Sequence, residues 1–373
     1  MSMEQDLRDC QRLMRGGSKS FFAASRVLPA DIRQHAMALY AFCRIADDAV
    51  DLVAAKASDQ QTGQRLQRQA LESLYQRLDQ IYDDCPFDHP ADRAFARLVQ
   101  RVALPKSLPL LLLEGFAWDA QARRYPSIVA LEAYAVRVAG SVGVMMAYIM
   151  GLRHPLVLAR ACEMGMAMQL TNIARDVGED ARAGRLYLPA DWMEQAGLDP
   201  QAWLSAPCFH PELARVIKRL LAHADTLYRQ SESATPYLPW RCRPAILAAS
   251  RVYAEIGRAL ESASFDAVNR RAVVGATRKW QLIALSLLRS ATPAKPAALS
   301  AAGELSSLAE AIRPVIESLI RSGHADWQLT RPQGTSGLAR LASVFERLEA
   351  LDREQRALQH PGFDRESGRL ISG

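Results

Sequence analysis

The stretch Met168–Pro189, MQLTNIARDVGEDARAGRLYLP, decides how the chain is read. Asn172, Asp176 and Asp180 recur every fourth residue, so on an α-helix they share one face, and Gln169 extends that stripe by nearly a turn. Charged repeats at this spacing usually mark a solvated face. Here Met164, Met168 and Ile173 make the same helix apolar on most sides, as a buried helix would be. Oxygens projecting from a buried helix need partners, and a carboxylate cluster most often finds them in a hard cation.

A second acidic face lies far upstream. In YAFCRIADDAVD, Tyr40, Arg44, Asp47 and Asp51 follow i, i+4, i+7, i+11, with Asp48 beside them. Two carboxylate faces on separate helices predict one site between them, suited to Mg²⁺ (or Mn²⁺), which takes one or two carboxylates and completes its shell with water and phosphate oxygens. The metal set is then Asp47, Asp48, Asp51, Asn172, Asp176 and Asp180. Arg44 has two readings, a partner for a diphosphate oxygen or an intrahelical ion pair with Asp47 or Asp48.

Three blocks in register carry a resemblance: SKSFFAASRVLP (Ser18–Pro29), ALYAFCRIADDAVD (Ala38–Asp51) and QLTNIARDVGEDARAGRLYLP (Gln169–Pro189). Their order and spacing resemble the squalene/phytoene synthase family, most closely its bacterial phytoene synthases, over roughly residues 10 to 290. The resemblance implies an all-α fold, a single large orthogonal helical bundle with a central active-site cavity (isoprenoid synthase type). It implies head-to-head condensation of two geranylgeranyl diphosphates, through a cyclopropyl (prephytoene) diphosphate, to phytoene in carotenoid biosynthesis. Carried over residue by residue, the catalytic set is Asp47, Asp51, Tyr134, Asp176, Asp180 and Tyr253, with Tyr134 facing the reacting carbons. The substrate-binding set is Ser18, Ser20, Tyr40, Arg44, Gln169, Asn172, Arg185 and Arg271, with Ser18 and Ser20 against the diphosphate and Arg271 meeting it as it leaves. Gly17 stands where many relatives carry histidine.

Two other functions belong to the same fold: a C30 synthase making squalene or dehydrosqualene from two farnesyl diphosphates, and a non-catalytic assembly factor. C30-forming relatives tend to place bulkier aromatics at the positions matching Ser25 and Met37. Ala23, Ala24, Ser25 and Met37 therefore favour C20 substrates, and the intact acidic positions favour an enzyme. No GxGxxG opens a βαβ unit, so no nicotinamide is expected.

The bulk properties agree with a helical enzyme. At 373 residues the chain can bury a large core, and 49% hydrophobic content rich in Ala and Leu favours helices. The net charge of +6 is scattered along the chain, so no nucleic acid is expected as a partner. Six cysteines without a CxxC pair imply neither zinc nor disulfides, and they suit a reducing cytoplasm. The N-terminus, MSMEQDLRDCQ, is polar and acidic, unlike a secretory signal. The apolar stretches Leu108–Leu113 and Val142–Leu152 fall short of the roughly 20 residues of a spanning helix. The expectation is a cytoplasmic protein, peripheral on the inner face of the membrane, whose partners are prenyl diphosphates, the lipid surface and the next enzyme of the pathway.

Helical patterns cover residues 3–15, 30–53, 64–82, 91–102, 131–151, 211–233 and 243–263, and Gly16-Gly17 breaks the first from Ser18. Gly140, Gly143, Ala147 and Gly151 form a small-residue stripe, either a close helix contact or a bed for an isoprenoid tail. Arg182 and Arg185 either close over diphosphate as a flap or counter Glu179 and Asp180. The bundle is placed at residues 1–290, a Pro/Ala-rich linker at 291–303 and a helical extension at 304–373, with helices at about 304–321 and 335–357 forming a packed hairpin.

Overall fold

The computed structural model describes residues 2–55, 60–291 and 308–327, excepting the side chains of 19, 20, 51–55, 60 and 291. Among the described residues there is no strand. The central element is α9 (Pro155–Arg182), with Pro155 in its first turn, where the missing N–H costs no hydrogen bond. Its first two-thirds are apolar on nearly every side, which only a helix surrounded by others tolerates. Around it stand α3 (Ala30–Ala55), α6 (Ser107–Ala120), α7 (Ile128–Ala135), α8 (Ser141–Ile149), α12 (Pro211–Glu232) and α13 (Arg243–Ser262). Of these, α12, α8 and α13 pack most extensively on α9.

The N-terminal helix α1 (Met3–Gly17) runs through Gly16 and ends at Gly17, two residues later than its pattern suggested. Ser18 terminates it and caps the short α2 (Lys19–Ser25), accepting the Phe21 N–H at 3.2 Å. Asp6 ties α1 to α5 (Pro90–Val102): it is wholly buried and accepts from Arg93 at 2.6 Å and Arg97 at 2.8 Å. A single helical run, Ile128–Ile149, joins α7 and α8 through a π-turn at Val136–Gly140. At 22 residues it is long and apolar enough to cross a membrane, although each apolar window seen in the sequence is shorter. Its packing on α6 and α9 makes it a core helix.

That packing also decides the small-residue stripe. A Cβ on Gly143 would lie 2.2 Å from the Ala161 carbonyl oxygen, and one on Gly140 would lie 2.6 Å from Cys162 Sγ. The partner surface is equally bare: a Cβ on Gly165 would lie 2.2 Å from the Ala139 carbonyl oxygen. The stripe is chiefly a close crossing of α8 and α9; Gly143 and the facing Gly165 also border the apolar cavity described below, whose wall is otherwise built by neighbouring positions. Gly151 stands beyond the helix at φ +79°, a left-handed turn residue outside the stripe.

After α14 (Ala276–Ala291) the next described segment is 308–327, with a helix at Arg313–Arg321. Leu308, Ile312, Ile316 and Leu319 join the same core as the bundle. The linker (292–303 of it) and the expected helix at 335–357 lie outside the described residues. Gly165→Ala is expected to cost about 1–3 kcal/mol in urea unfolding, because neither backbone at the crossing can retreat. Gly16→Ala, in open space on α1, is the control and should stabilise slightly. Equal effects at both positions would refute the crossing as the constraint.

Candidate active site

Two cavities meet inside the bundle. The larger, about 330 Å³, is walled by apolar side chains from α2 (Ala24, Ser25), α3 (Leu39, Cys43), α8 and its π-turn (Val138, Val142, Met146) and α9 (Met164, Met168). The smaller, about 310 Å³, is polar and lies among Ser18, Asn172, Arg175, Tyr253, Arg271 and Lys279. Phe21, Tyr40 and Asn172 border both, so the polar chamber opens onto the apolar one across a shared wall. Its aromatic part is Phe21, with ring centroids 5.1 Å from Tyr253 and 6.3 Å from Tyr40.

Of the residues proposed from sequence, Ser18, Tyr40, Asn172, Tyr253 and Arg271 converge on the polar chamber, and Gln169 borders the apolar one. Ser18 also hydrogen-bonds Tyr253, whose phenol burial pushes up to about 12. Gly17 takes the place of the family's histidine. A Cβ there would meet the Tyr40 hydroxyl at 2.3 Å, so glycine admits that hydroxyl to the α1–α2 junction. Ser20 and Asp51 sit on α2 and α3, and their side chains lie outside the described ones.

Other residues proposed from sequence lie outside both cavities. Tyr134 borders neither cavity: it is buried behind the site, donates to Asp119 Oδ2 at 2.9 Å and stacks on Tyr187. Arg44 forms the intrahelical pair, with Nε 2.9 Å from Asp48 Oδ2 and a looser 3.6 Å approach to Asp47. Arg182 donates to the Val268 carbonyl at 3.2 Å, the charge of Arg185 acts on Asp180, and backbone hydrogen bonds hold the segment after α9. Tyr187 donates to Asp119 Oδ1 at 2.7 Å, the Ala190 N–H to the Tyr125 carbonyl at 2.9 Å, and the Arg185 N–H to the Asp180 carbonyl at 2.8 Å. Met37 packs in a satellite core with Cys10 and Met14, so Ser25 and Ala24 are the positions of that group that reach the cavity.

The acidic faces do not close on one point. Among the described residues no three His, Cys, Asp or Glu side chains converge to hold an ion. Arginines stand on the carboxylates instead. Asp176 accepts from Arg175 at 2.8 Å and from Arg271 at 2.7 Å. Burial alone would raise its carboxyl, but these hydrogen bonds outweigh it and hold the group below the ordinary range. Asp180, one turn on, has less compensation: burial, then the charge of Asp176, push it up to about 7 against the charge of Arg185. Between the cavities, Asn172 Oδ1 is buried without a hydrogen-bond partner. An orphaned acceptor and an under-compensated carboxylate on one helix face are the hard oxygen donors a divalent cation takes, so these residues fit one.

Sequence reasoning missed Arg175, Lys279, Phe21 and Asp119. Arg175 was legible, standing three residues after Asn172 on the same side of the helix. Lys279 and Arg271 reach the site only because residues 267–268 cross α9 at Gly178, whose N–H donates to the Ala267 carbonyl at 3.0 Å.

A helical bundle enclosing a cationic polar chamber that opens onto an apolar one is the architecture of an isoprenoid synthase. The chain belongs to the squalene/phytoene synthase family, whose model matches residues 14–278. It is 49% identical over 288 residues to the phytoene synthase of Rhodobacter capsulatus, covering 77% of this chain and 83% of that one. It is 46% identical over 355 residues to the phytoene synthase of Cereibacter sphaeroides, covering 95% and 96%. A solved dehydrosqualene synthase in complex with ligand superposes with a TM-score of 0.67 at 29% identity, over 77% of this chain and 98% of that one. The family uses prenyl diphosphates and is generally divalent-metal dependent.

Asp180 makes the stability pH-dependent. From its ordinary 3.8 to about 7 the folded state holds a proton the unfolded state has lost, so raising pH through this window destabilises the metal-free fold. Asp180→Asn should therefore melt higher than wild type at pH 8 in chelator, by at most about 4 kcal/mol, with the gap closing towards pH 4. A gap that widens on acidification would contradict the assignment.

Proposed function

We propose that the chain joins two geranylgeranyl diphosphates head to head, through a cyclopropyl (prephytoene) diphosphate, to give phytoene in carotenoid biosynthesis. The observation that carries this reading is the shared Phe21–Tyr40–Asn172 wall, which sets a diphosphate-sized cationic chamber against an apolar bed for a prenyl tail. Relatives bearing the name phytoene synthase support C20 substrates over the C30 alternative.

Each step has residues suited to it. Arg175, Arg271 and Lys279 bind diphosphate oxygens, and Ser18 adds a hydroxyl at the start of α2. Asn172, Asp176 and Asp180, with the acidic face of α3, would hold the divalent metal, Mg²⁺ or Mn²⁺. When bound, it supplies charge neutralisation to the departing diphosphate. Arg271 and Arg175, now on Asp176, are then freed for the substrate. Loss of diphosphate leaves an allylic cation at the aromatic wall, where Phe21, Tyr40 and Tyr253 offer ring faces. The buried tyrosines keep their protons, since burial raises both phenols, so neither ring presents a nucleophilic phenolate. Met164, Met168, Val142 and Met146 exclude the water that would quench the cation.

The decisive measurement is metal-dependent pyrophosphate release with C15 and C20 substrates. Wild type is expected to prefer C20, and Asp176→Asn to lose turnover by at least about 100-fold with its helical circular dichroism intact. Near-normal turnover in that variant, or a C15 preference, would overturn the respective part. The lipid-soluble product further implies peripheral attachment at the inner face of the membrane, near the next enzyme of the pathway. Val273, 74% exposed beside the polar chamber, with Leu285 and Leu288 on α14, suits that contact. Co-flotation with anionic vesicles is expected, and its loss in Leu285→Glu/Leu288→Glu; a wild type that stays with the free protein would refute the attachment.

A further inference from the structure

One end of the apolar cavity lies at the turn between α8 and α9, and a segment beyond the residues matched to the family model packs on that turn from outside. Val157 and Asn172 both border the cavity, and α9 rises about 22 Å between them. Val157 thus marks the end opposite the acidic stripe. Met150 and Leu152, on the turn between α8 and α9, border the cavity with it.

That turn is gripped from outside by residues 308–327. The Tyr148 hydroxyl donates to the His324 carbonyl, and the Asp326 N–H donates to the Arg153 carbonyl at 3.0 Å. The Trp327 ring meets His154 edge-on at 5.5 Å. Arg153 locks the turn itself, donating to the Leu152 carbonyl at 2.8 Å and the Val102 carbonyl at 2.7 Å while its guanidinium lies 3.9 Å from the Tyr148 ring centroid. Behind these contacts Ile312, Ile316 and Leu319 are buried, and the helix Arg313–Arg321 packs against α9. The turn that carries Met150 and Leu152 to the cavity is thus held from outside through its neighbours Tyr148, Arg153 and His154.

We infer that residues 308–327 determine chain length: by bracing the α8–α9 turn they fix the position of that end of the apolar cavity and so set the longest prenyl tail that fits. An apolar wall one side chain thick yields when its support is removed, and a wall backed by a second packed layer does not. The inference rests on the reading of the cavity as the bed of a prenyl tail. It places a specificity element beyond residue 278, where the family match ends.

The test uses the full chain and unreactive thiolo-diphosphates carrying 15, 20 and 25 carbons, with binding followed by calorimetry and inorganic pyrophosphate as the control ligand. In Ile316→Ala, which thins the second layer, affinity for the C25 analogue relative to C20 should rise by about tenfold or more while pyrophosphate affinity stays at the wild-type value. Tyr148→Phe, which removes only the bond to His324, should move the ratio in the same direction by a smaller factor, and it decides the matter if Ile316→Ala does not fold. A folded variant with a wild-type C25:C20 ratio overturns the chain-length role and leaves the functional reading intact. A wild type that binds pyrophosphate but none of the three analogues more tightly overturns the tail-bed reading, and this inference with it.

Discussion

Carboxylates on a buried helix cannot remain charged without cations beside them, and the site is arranged around that constraint. The apolar two-thirds of α9 anchor it at the centre of the bundle, so Asp176 and Asp180 are carried into a region of low polarity. Asp176 recruits Arg175 from its own helix and Arg271 from a segment nearly a hundred residues downstream. Asp180 finds less and keeps its proton into the neutral range. The imbalance is functional in kind. A carboxylate that its surroundings leave protonated is poised to exchange that proton for a metal, and arginines that can leave a carboxylate are available to an anion.

The second constraint is the absence of side chains where α8 crosses α9. Gly140, Gly143 and Gly165 let the two backbones touch. The close approach orients the flanking face of the π-turn and α8, so that Val138, Val142 and Met146 turn towards the cavity. A bare stripe reads equally well as a packing surface or as a bed for a ligand. The structure resolves it chiefly as the first; Gly143 still borders the cavity, and the rest of the bed is built by neighbours one step around the helix. The π-turn at Val136–Gly140 stands at this crossing, where the Ser141 hydroxyl donates to the Arg137 carbonyl at 2.6 Å.

Asp119 illustrates how a site is supported from behind. It accepts from both Tyr134 and Tyr187; those rings stack on each other, and Tyr187 stacks on Tyr125 while Tyr134 meets it at a tilt. The cluster holds the chain that leaves α9, and its charge adds to the burden on Asp180. Tyr134 therefore stands against Asp119 behind the two cavities, and the aromatic faces where the cavities meet are Phe21, Tyr40 and Tyr253.

What the sequence by itself determined is what a helix determines locally. Residues three, four, seven and eleven apart share a face whatever surrounds them, so the stripe of Gln169, Asn172, Asp176 and Asp180 and the pairing of Arg44 with Asp48 were legible from spacing. The helical class followed from composition and period, and the register of three blocks identified the family. Tertiary packing alone decided which faces meet. Lys279 and Arg271 enter the site because residues 267–268 cross α9 at Gly178, and no local pattern encodes that crossing. Met37 and Ser25 looked equivalent as small or flexible residues, yet Met37 lies on the face of α3 that packs on α1, while Ser25, at the end of α2, borders the cavity. Tyr134 turned away from the site because Asp119, fifteen residues earlier on another helix, offers its hydroxyl an acceptor. Periodicity fixes direction around a helix axis to within a fraction of a turn. Distance between helices depends on the volumes of every side chain between them, which only the assembled core adds up.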